Sequence, residues 1–252
     1  MIVNCRDVWK GDLHGAVCLT FDDGHESQLQ RAIPLMDERG LRGTFYLAPK
    51  MDNWRAWLEP WTEVAAGGHE IGNHTLSHTC SRNFSDDTEA KGLERSTLAE
   101  IEADVLEAED RLQQVLPAPE RTFAYPCYQT AVGEGLTRES YVPMIARHFT
   151  AARTIGEYGF ANSPINADLH YLACQNAEHF RAAELIGLVQ RAVNQGRWLI
   201  FAFHQIEGGR LGIAEYEFIG LLDFLAQQKG RVWTAPVLDV AKFALQARKA
   251  YT

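Results

Sequence analysis

Short apolar runs that stop on polar residues recur along this 252-residue chain, and they limit what it can fold into. Ala16-Val17-Cys18-Leu19-Thr20-Phe21 runs into Asp22-Asp23-Gly24, and Trp198-Leu199-Ile200-Phe201-Ala202-Phe203 runs into His204. Gly43-Thr44-Phe45-Tyr46-Leu47-Ala48 is ended by Pro49. Runs so short and apolar read as buried strands, each with a polar loop at its C-terminal end. His69-Glu70-Ile71-Gly72-Asn73, Thr122-Phe123-Ala124-Tyr125 and Val232-Trp233-Thr234-Ala235 are shorter candidates of the same kind. Helical patterns lie between them: 27–39 stopped by Gly40, 60–66 broken by Gly67-Gly68, 141–149, 178–195 stopped by Gly196, 215–229 closed by Gly230, and 237–248. The clearest helix follows the capping box Thr97 and Glu100, with Leu98, Ile101, Val105, Ala108, Leu112 and Val115 at three- and four-residue steps. Its acids fall on the opposite side and are expected to form a solvated face. Residues 79–95 are polar and read as a loop or lid, and 150–177 are assigned no element. The alternation predicts parallel strands joined by helical crossovers. In a closed βα barrel, the polar residues that follow the strands gather on one face. No linker, repeat or low-complexity stretch interrupts the pattern, so a single domain over 1–252 is expected.

The five cysteines (Cys5, Cys18, Cys80, Cys127, Cys174) are scattered and odd in number. They predict no disulfide framework and favour a reducing, cytoplasmic setting. Met1-Ile2-Val3-Asn4-Cys5-Arg6-Asp7 lacks the basic-then-apolar pattern of a signal peptide, the alternative being an exported form already trimmed. No segment approaches the ~20 apolar residues of a membrane helix, so no membrane insertion is expected. A formal charge of −9 repels phosphate backbones and argues against a nucleic-acid partner. Oligomeric state is not legible.

Two pieces of the chain carry chemistry. One is Asp22-Asp23. The other is the pair His74 and His78, which at i and i+4 meet on one face of a helical turn. A carboxylate with two imidazoles suits Zn²⁺, with Co²⁺, Mn²⁺, Ni²⁺ or Fe²⁺ as alternatives, and leaves positions free for water and substrate. The remaining carboxylate is then available as a base. Either piece alone reads as a turn or as surface residues; jointly they specify a metal site. The absence of a Gly-x-Ser-x-Gly elbow argues against a serine hydrolase. Trp54, Trp57 and Trp61 read as core packing, with sugar stacking as the alternative, and His25 is a candidate for lining the cleft.

Thr20-Phe21-Asp22-Asp23-Gly24 and Gly68-His69-Glu70-Ile71-Gly72-Asn73-His74-Thr75-Leu76-Ser77-His78 resemble the first two motifs of the polysaccharide deacetylase family, the NodB-homology or family 4 carbohydrate esterases. The resemblance runs in motif order over nearly the whole chain. It implies a distorted (β/α) barrel, usually seven-stranded, and metal-dependent removal of N-acetyl groups from sugars or O-acetyl groups from xylan. Asp22 matches the catalytic base, and Asp23, His74 and His78 match the metal ligands. Ala124-Tyr125-Pro126-Cys127-Tyr128 resembles the third motif, where many members have Arg-Pro-Pro-Tyr-Gly. Tyr125 stands at the arginine position, Tyr128 at or near the aromatic position, and Gln129 in place of the glycine. The departure removes a fixed positive charge near Asp22, and Arg121 is not expected to replace it. The Tyr128 backbone N–H is the implied oxyanion donor. Phe201-Ala202-Phe203-His204 resembles the fifth motif, which makes His204 the general acid. The fourth-motif aspartate, which orients that histidine, has no clear counterpart; Asp168 is the best candidate, and nearby Arg153 and Asn162 have no assigned role.

The expected function is a metal-dependent hydrolase that removes an acetyl group from an N-acetylated carbohydrate. An O-acetyl esterase, or a formyl, imide or other amide hydrolase, would keep the same machinery. A catalytically silent carbohydrate-binding protein would have lost the base or a ligand, yet Asp22, Asp23, His74, His78 and His204 are all present.

Overall fold

A computed structural model describes residues 4–84, 89 and 91–250. Seven parallel strands close into a barrel: β1 (Gly15–Asp22), β2 (Thr44–Leu47), β3 (Glu70–Asn73), β4 (Thr122–Ala124), β5 (Ala151–Ile155), β6 (Leu172–Asn176) and β7 (Trp198–Phe203). β7 closes it on β1, in register from Ala16↔Trp198 to Phe21↔Phe203. The expected seven-stranded (β/α) barrel is thus what the chain forms. Its distortion has a local cause. β2 pairs only with the second half of β1, Thr20↔Thr44 to Asp22↔Tyr46, and an eighth strand, β8 (Val232–Thr234), fills the space beside the first half.

The helices are α1 (Ile33–Asp37, entered through a π-helical turn at Gln28–Ala32), α2 (Trp54–Leu58), α3 (Trp61–Ala66), α4 (Leu98–Val115), α5 (Val142–His148), α6 (Ala182–Asn194), α7 (Glu215–Gln227) and α8 (Val237–Arg248). Strand side chains alternate between two cores, as the period of two requires. Leu19, Phe21, Phe201 and Phe203 pack outward with Val189 of α6 and Phe218 and Leu222 of α7. Cys18, Ile200, Ala202 and Cys174 fill the inside, with Val237, Val240 and Ala241 of α8. α8 seals the N-terminal strand ends. Its Val237 N–H donates to Thr44 Oγ1 at 2.9 Å and its Leu238 N–H to the buried Glu70 carboxylate at 3.0 Å. Tyr46 lies in the interior because residue 72 is glycine: a Cβ there would meet its ring at 2.4 Å.

Two barrel strands, β5 and β6, fall in the span left without an element. β5 carries Arg153 mid-strand, fully buried, and composition rules price arginine as exposed. The link between β5 and β6 contains no helix among the described residues. Asn162 takes its place by bracketing Ala173 on β6, with its amide donating to Ala173 O (2.8 Å) and its carbonyl accepting from Ala173 N (2.9 Å). The other expected helices and strands form with boundaries within a few residues, α2 (Trp54–Leu58) is a helix that was not expected, and the Thr97–Glu100 capping box opens α4.

The cysteine expectation is corrected. Cys80 and Cys127, 47 residues apart, are joined in a disulfide with Cα atoms 5.8 Å apart. The barrel sets their loops side by side, which their spacing in sequence does not reveal. Of the polar loop 79–95, residues 82–84 and 93–95 form single 3₁₀ turns, while 85–88 and 90 lie outside the described residues, as do 1–3 of the N-terminal stretch. Among the described residues, no helix is long and apolar enough to cross a membrane.

Candidate active site

The site is built on the C-terminal ends of the strands. Asp22 is the last residue of β1, and the chain turns immediately after it, with φ of 70° at Asp23 and 63° at Gly24. A Cβ at position 24 would lie 2.7 Å from the Trp57 ring, so the turn is packed down by one of the tryptophans. Trp54 and Trp61 are buried, as packing residues are, while Trp57 is half-buried against the same core. Positive φ also occurs at Thr75, His78, Cys127 and Tyr128, so backbone strain concentrates in the three loops that surround Asp22.

Asp23, His74 and His78 converge, with their candidate ligand atoms within 4.8 Å of one another. Asp23 Oδ1 lies 3.2 Å from His78 Nε2 and 3.7 Å from His74 Nε2. His74 Nδ1 is 2.7 Å from Ala124 O, to which it donates, leaving Nε2 with its lone pair facing Asp23. Burial, opposed by Asp22, depresses the His74 pKa to about 4, so the ring is neutral at pH 7 and its carboxylate contacts are not ion pairs. A neutral imidazole with a fixed tautomer beside a carboxylate and a second imidazole fits a divalent cation. The histidine loop is anchored from α4, where the Asp104 carboxylate accepts from Leu76 N (2.9 Å) and Ser77 N (3.2 Å). Asp104 is therefore not part of a purely solvated acid face. Glu109 on the same helix accepts from Asn73 Nδ2 at 3.1 Å.

Asp22 is almost fully buried, and Arg153 holds its Oδ1. The missing positive charge is thus supplied from β5, across the barrel. Arg121 is committed elsewhere, to Glu109 and the carbonyls of Ile71 and Leu116. Burial pushes the Asp22 pKa up, but Arg153, His74 and His204 outweigh it and bring it down to about 2. The other oxygen, Oδ2, is 3.9 Å from His74 Nε2 and 3.9 Å from His204 Nε2. Gln28 ties the two strand ends together, donating to the carbonyls of Asp22 (2.6 Å) and His204 (2.8 Å).

His204 meets Glu178, not Asp168. Glu178 Oε1 is 3.1 Å from His204 Nδ1, off the hydrogen-bonding direction of the ring nitrogen, and acts as a charge partner. Burial disfavours the charged imidazole, yet Glu178 and then Asp22 and Asp23 prevail, and the pKa is raised. Asp168 is exposed, accepts from His170 N at 2.9 Å, and lines a separate cavity on the barrel flank. Tyr125 points away from Asp22 into the outer core, stacked edge-on with Phe123 and Tyr141, its hydroxyl donating to His170 O. The Tyr128 N–H is spent on Tyr125 O at 2.9 Å, and its hydroxyl donates to Asn176. His25 is exposed and bonds to Ser27.

Arg153, Glu178, Gln28 and Asp104 are the positioning residues that sequence reading missed. A charged residue inside the short apolar stretch Ala151-Ala152-Arg153-Thr154-Ile155 was a usable signal, as was a carboxylate two residues past a strand end at Glu178.

The polysaccharide deacetylase family model matches residues 11–131. A chitin deacetylase from a Pestalotiopsis species is 36% identical over 63 residues, 24% of this chain and 20% of that protein. Gellan lyase from a Bacillus species is 29% identical over 154 residues, 59% of this chain and 5% of that protein. The chain therefore spans only a small part of either relative. A candidate polysaccharide deacetylase of known structure from Mycobacterium smegmatis superposes with a TM-score of 0.64 at 14% identity, covering 96% of this chain and 93% of the other, a likeness of fold. The family match takes in β1 through β4 with Asp22, Asp23, His74 and His78, so over nearly half of its length, the part that carries the candidate site, the chain is similar to the polysaccharide deacetylase family.

Proposed function

We propose that the protein hydrolyses an N-acetyl group on a carbohydrate, with a divalent cation held by Asp23, His74 and His78. One observation carries the reading. Arg153 fixes one oxygen of Asp22, and the other faces the space between His74 and His204, beside the three-ligand cluster. A cation bound there lends Lewis acidity to the acetyl carbonyl and to a water. Asp22, anionic at neutral pH, takes the proton of the attacking water. His204, whose protonated form Glu178 and Asp22 favour against burial, gives its proton to the departing nitrogen. Gln28 holds base and acid at a constant separation.

The test is acetate release from N-acetylglucosamine oligomers by protein stripped of metal and then resupplied with Zn²⁺ or Co²⁺. Release that returns with the cation supports the reading. Release only from O-acetyl xylan or from small amides moves the substrate class, and metal-independent release defeats the mechanism.

Glu178→Gln tests the acid. The carboxylate raises the His204 pKa, so its removal lowers it, and the protonated form is lost at a lower pH. The alkaline limb of the kcat/KM–pH profile is expected to move down in pH while the acid limb stays in place. An unmoved alkaline limb would remove His204 from the proton-donating role.

A further inference from the structure

His78 belongs to two donor clusters at once. Its Nε2 lies 3.2 Å from Asp23 Oδ1, and its Nδ1 lies 3.7 Å from Cys80 Sγ. The donor atoms of His78, Cys80 and Cys127 fall within 4.8 Å of one another, the same limit met by Asp23, His74 and His78. The disulfide also ties the loop after β3, which carries His78, to the turn after β4, which carries Tyr128. While it stands, neither sulfur has a thiolate to offer a cation.

Reduction changes this balance. Two thiolates and an imidazole are a soft donor set that suits zinc, whereas a carboxylate with two imidazoles is harder. A neutral imidazole has a lone pair on one ring nitrogen and a proton on the other. His78 can therefore serve a cation through Nε2 or through Nδ1, but not two cations together. We propose that Cys80 and Cys127, once reduced, form with His78 Nδ1 a second zinc site that draws His78 away from Asp23 and His74, so that the disulfide keeps the cation in the deacetylase site. The proposal rests on the ligand assignment under Proposed function.

The chemistry balances with a phosphine as reductant. The S–S bond breaks, the sulfurs gain two electrons from phosphorus and two protons from water, and the phosphine leaves as its oxide. Each thiol releases its proton to solvent when its sulfur takes the cation. Both cysteines are only half-buried, so a small reductant has access.

The experiment is an anaerobic Co²⁺ titration of the full chain, before and after phosphine treatment, followed by absorbance and by acetate release. The oxidised protein is expected to take up cobalt with no sulfur-to-cobalt charge-transfer band. The reduced protein is expected to gain that near-ultraviolet band, and release at one equivalent of cobalt should fall by roughly tenfold, the scale of loss when a metal's support is disturbed. Both changes should reverse on reoxidation, and Cys127→Ser should show neither. Reduced protein without the band, or with the band and undiminished release, overturns the proposal. Cobalt uptake by the oxidised protein without acetate release defeats the deacetylase reading alone, and the charge-transfer band still decides whether the thiolate site forms.

Discussion

Asp22→Asn is expected to lower acetate release by about 10²- to 10⁴-fold while a stoichiometric cation remains bound. The substitution keeps the size and one acceptor oxygen but removes the anion that takes the proton from water. Binding should survive because Asp23, His74 and His78 are untouched, and the His74 tautomer is fixed by Ala124 O rather than by Asp22. The measurement is single-turnover acetate release beside metal content, made well below the unfolding temperature, since Arg153 loses its counter-charge. Turnover within about tenfold of the parent, with metal bound, would remove Asp22 from the proton-accepting role.

Arg153→Met should cost about 3–5 kcal/mol of stability at pH 7, the cost of breaking a buried pair by removing one partner. Asp22 would be left desolvated, still close to His74 and His204 but without its principal cation. Its pKa should rise, because burial is the largest contribution and Arg153 is the main group opposing it. The dependence on pH follows. In the parent, Asp22 is depressed from the ordinary 3.8 to about 2, so its stabilising contribution is present above pH 3.8 and is lost as pH falls towards 2. In the variant, protonation relieves the unpaired carboxylate at a higher pH. The stability gap between parent and variant should therefore be widest near neutrality and shrink in acid, as read by urea unfolding across that range. The acid limb of kcat/KM should move up with the base. Asp22→Asn combined with Arg153→Met should recover part of the loss, since neither charge is then stranded. Parent-like stability and an unmoved acid limb in Arg153→Met would show that the pair does not set the base.

Much of the fold was legible because its signals are local. A run such as Trp198-Leu199-Ile200-Phe201-Ala202-Phe203 can satisfy its backbone and bury its side chains only as an interior strand, and the Thr97–Glu100 box marks a helix start within four residues. The cluster of Asp23, His74 and His78 was legible in part, since the histidines are four residues apart and Asp23 follows a strand end, but the histidines meet in a loop with positive φ at Thr75 and His78 rather than on the expected helical turn. β5 escaped notice because the residue that gives it its purpose, Arg153, looks like a surface residue until its partner is known. The reading of Tyr125 as a loss of charge failed similarly: the motif was read along the chain, while the arginine arrives from a strand that is Asp22's partner only across the barrel interior.

The sequence by itself determined the strand-and-helix alternation and the two motifs, Asp22-Asp23 and His74 with His78, each of which depends on neighbours a few residues apart. Only the tertiary structure decided what sets their electrostatics: Arg153 against Asp22 over 131 residues, Glu178 against His204, and Cys80 bonded to Cys127 over 47. Charges and sulfurs act through space, and barrel closure, not chain order, determines which of them come within a few ångströms.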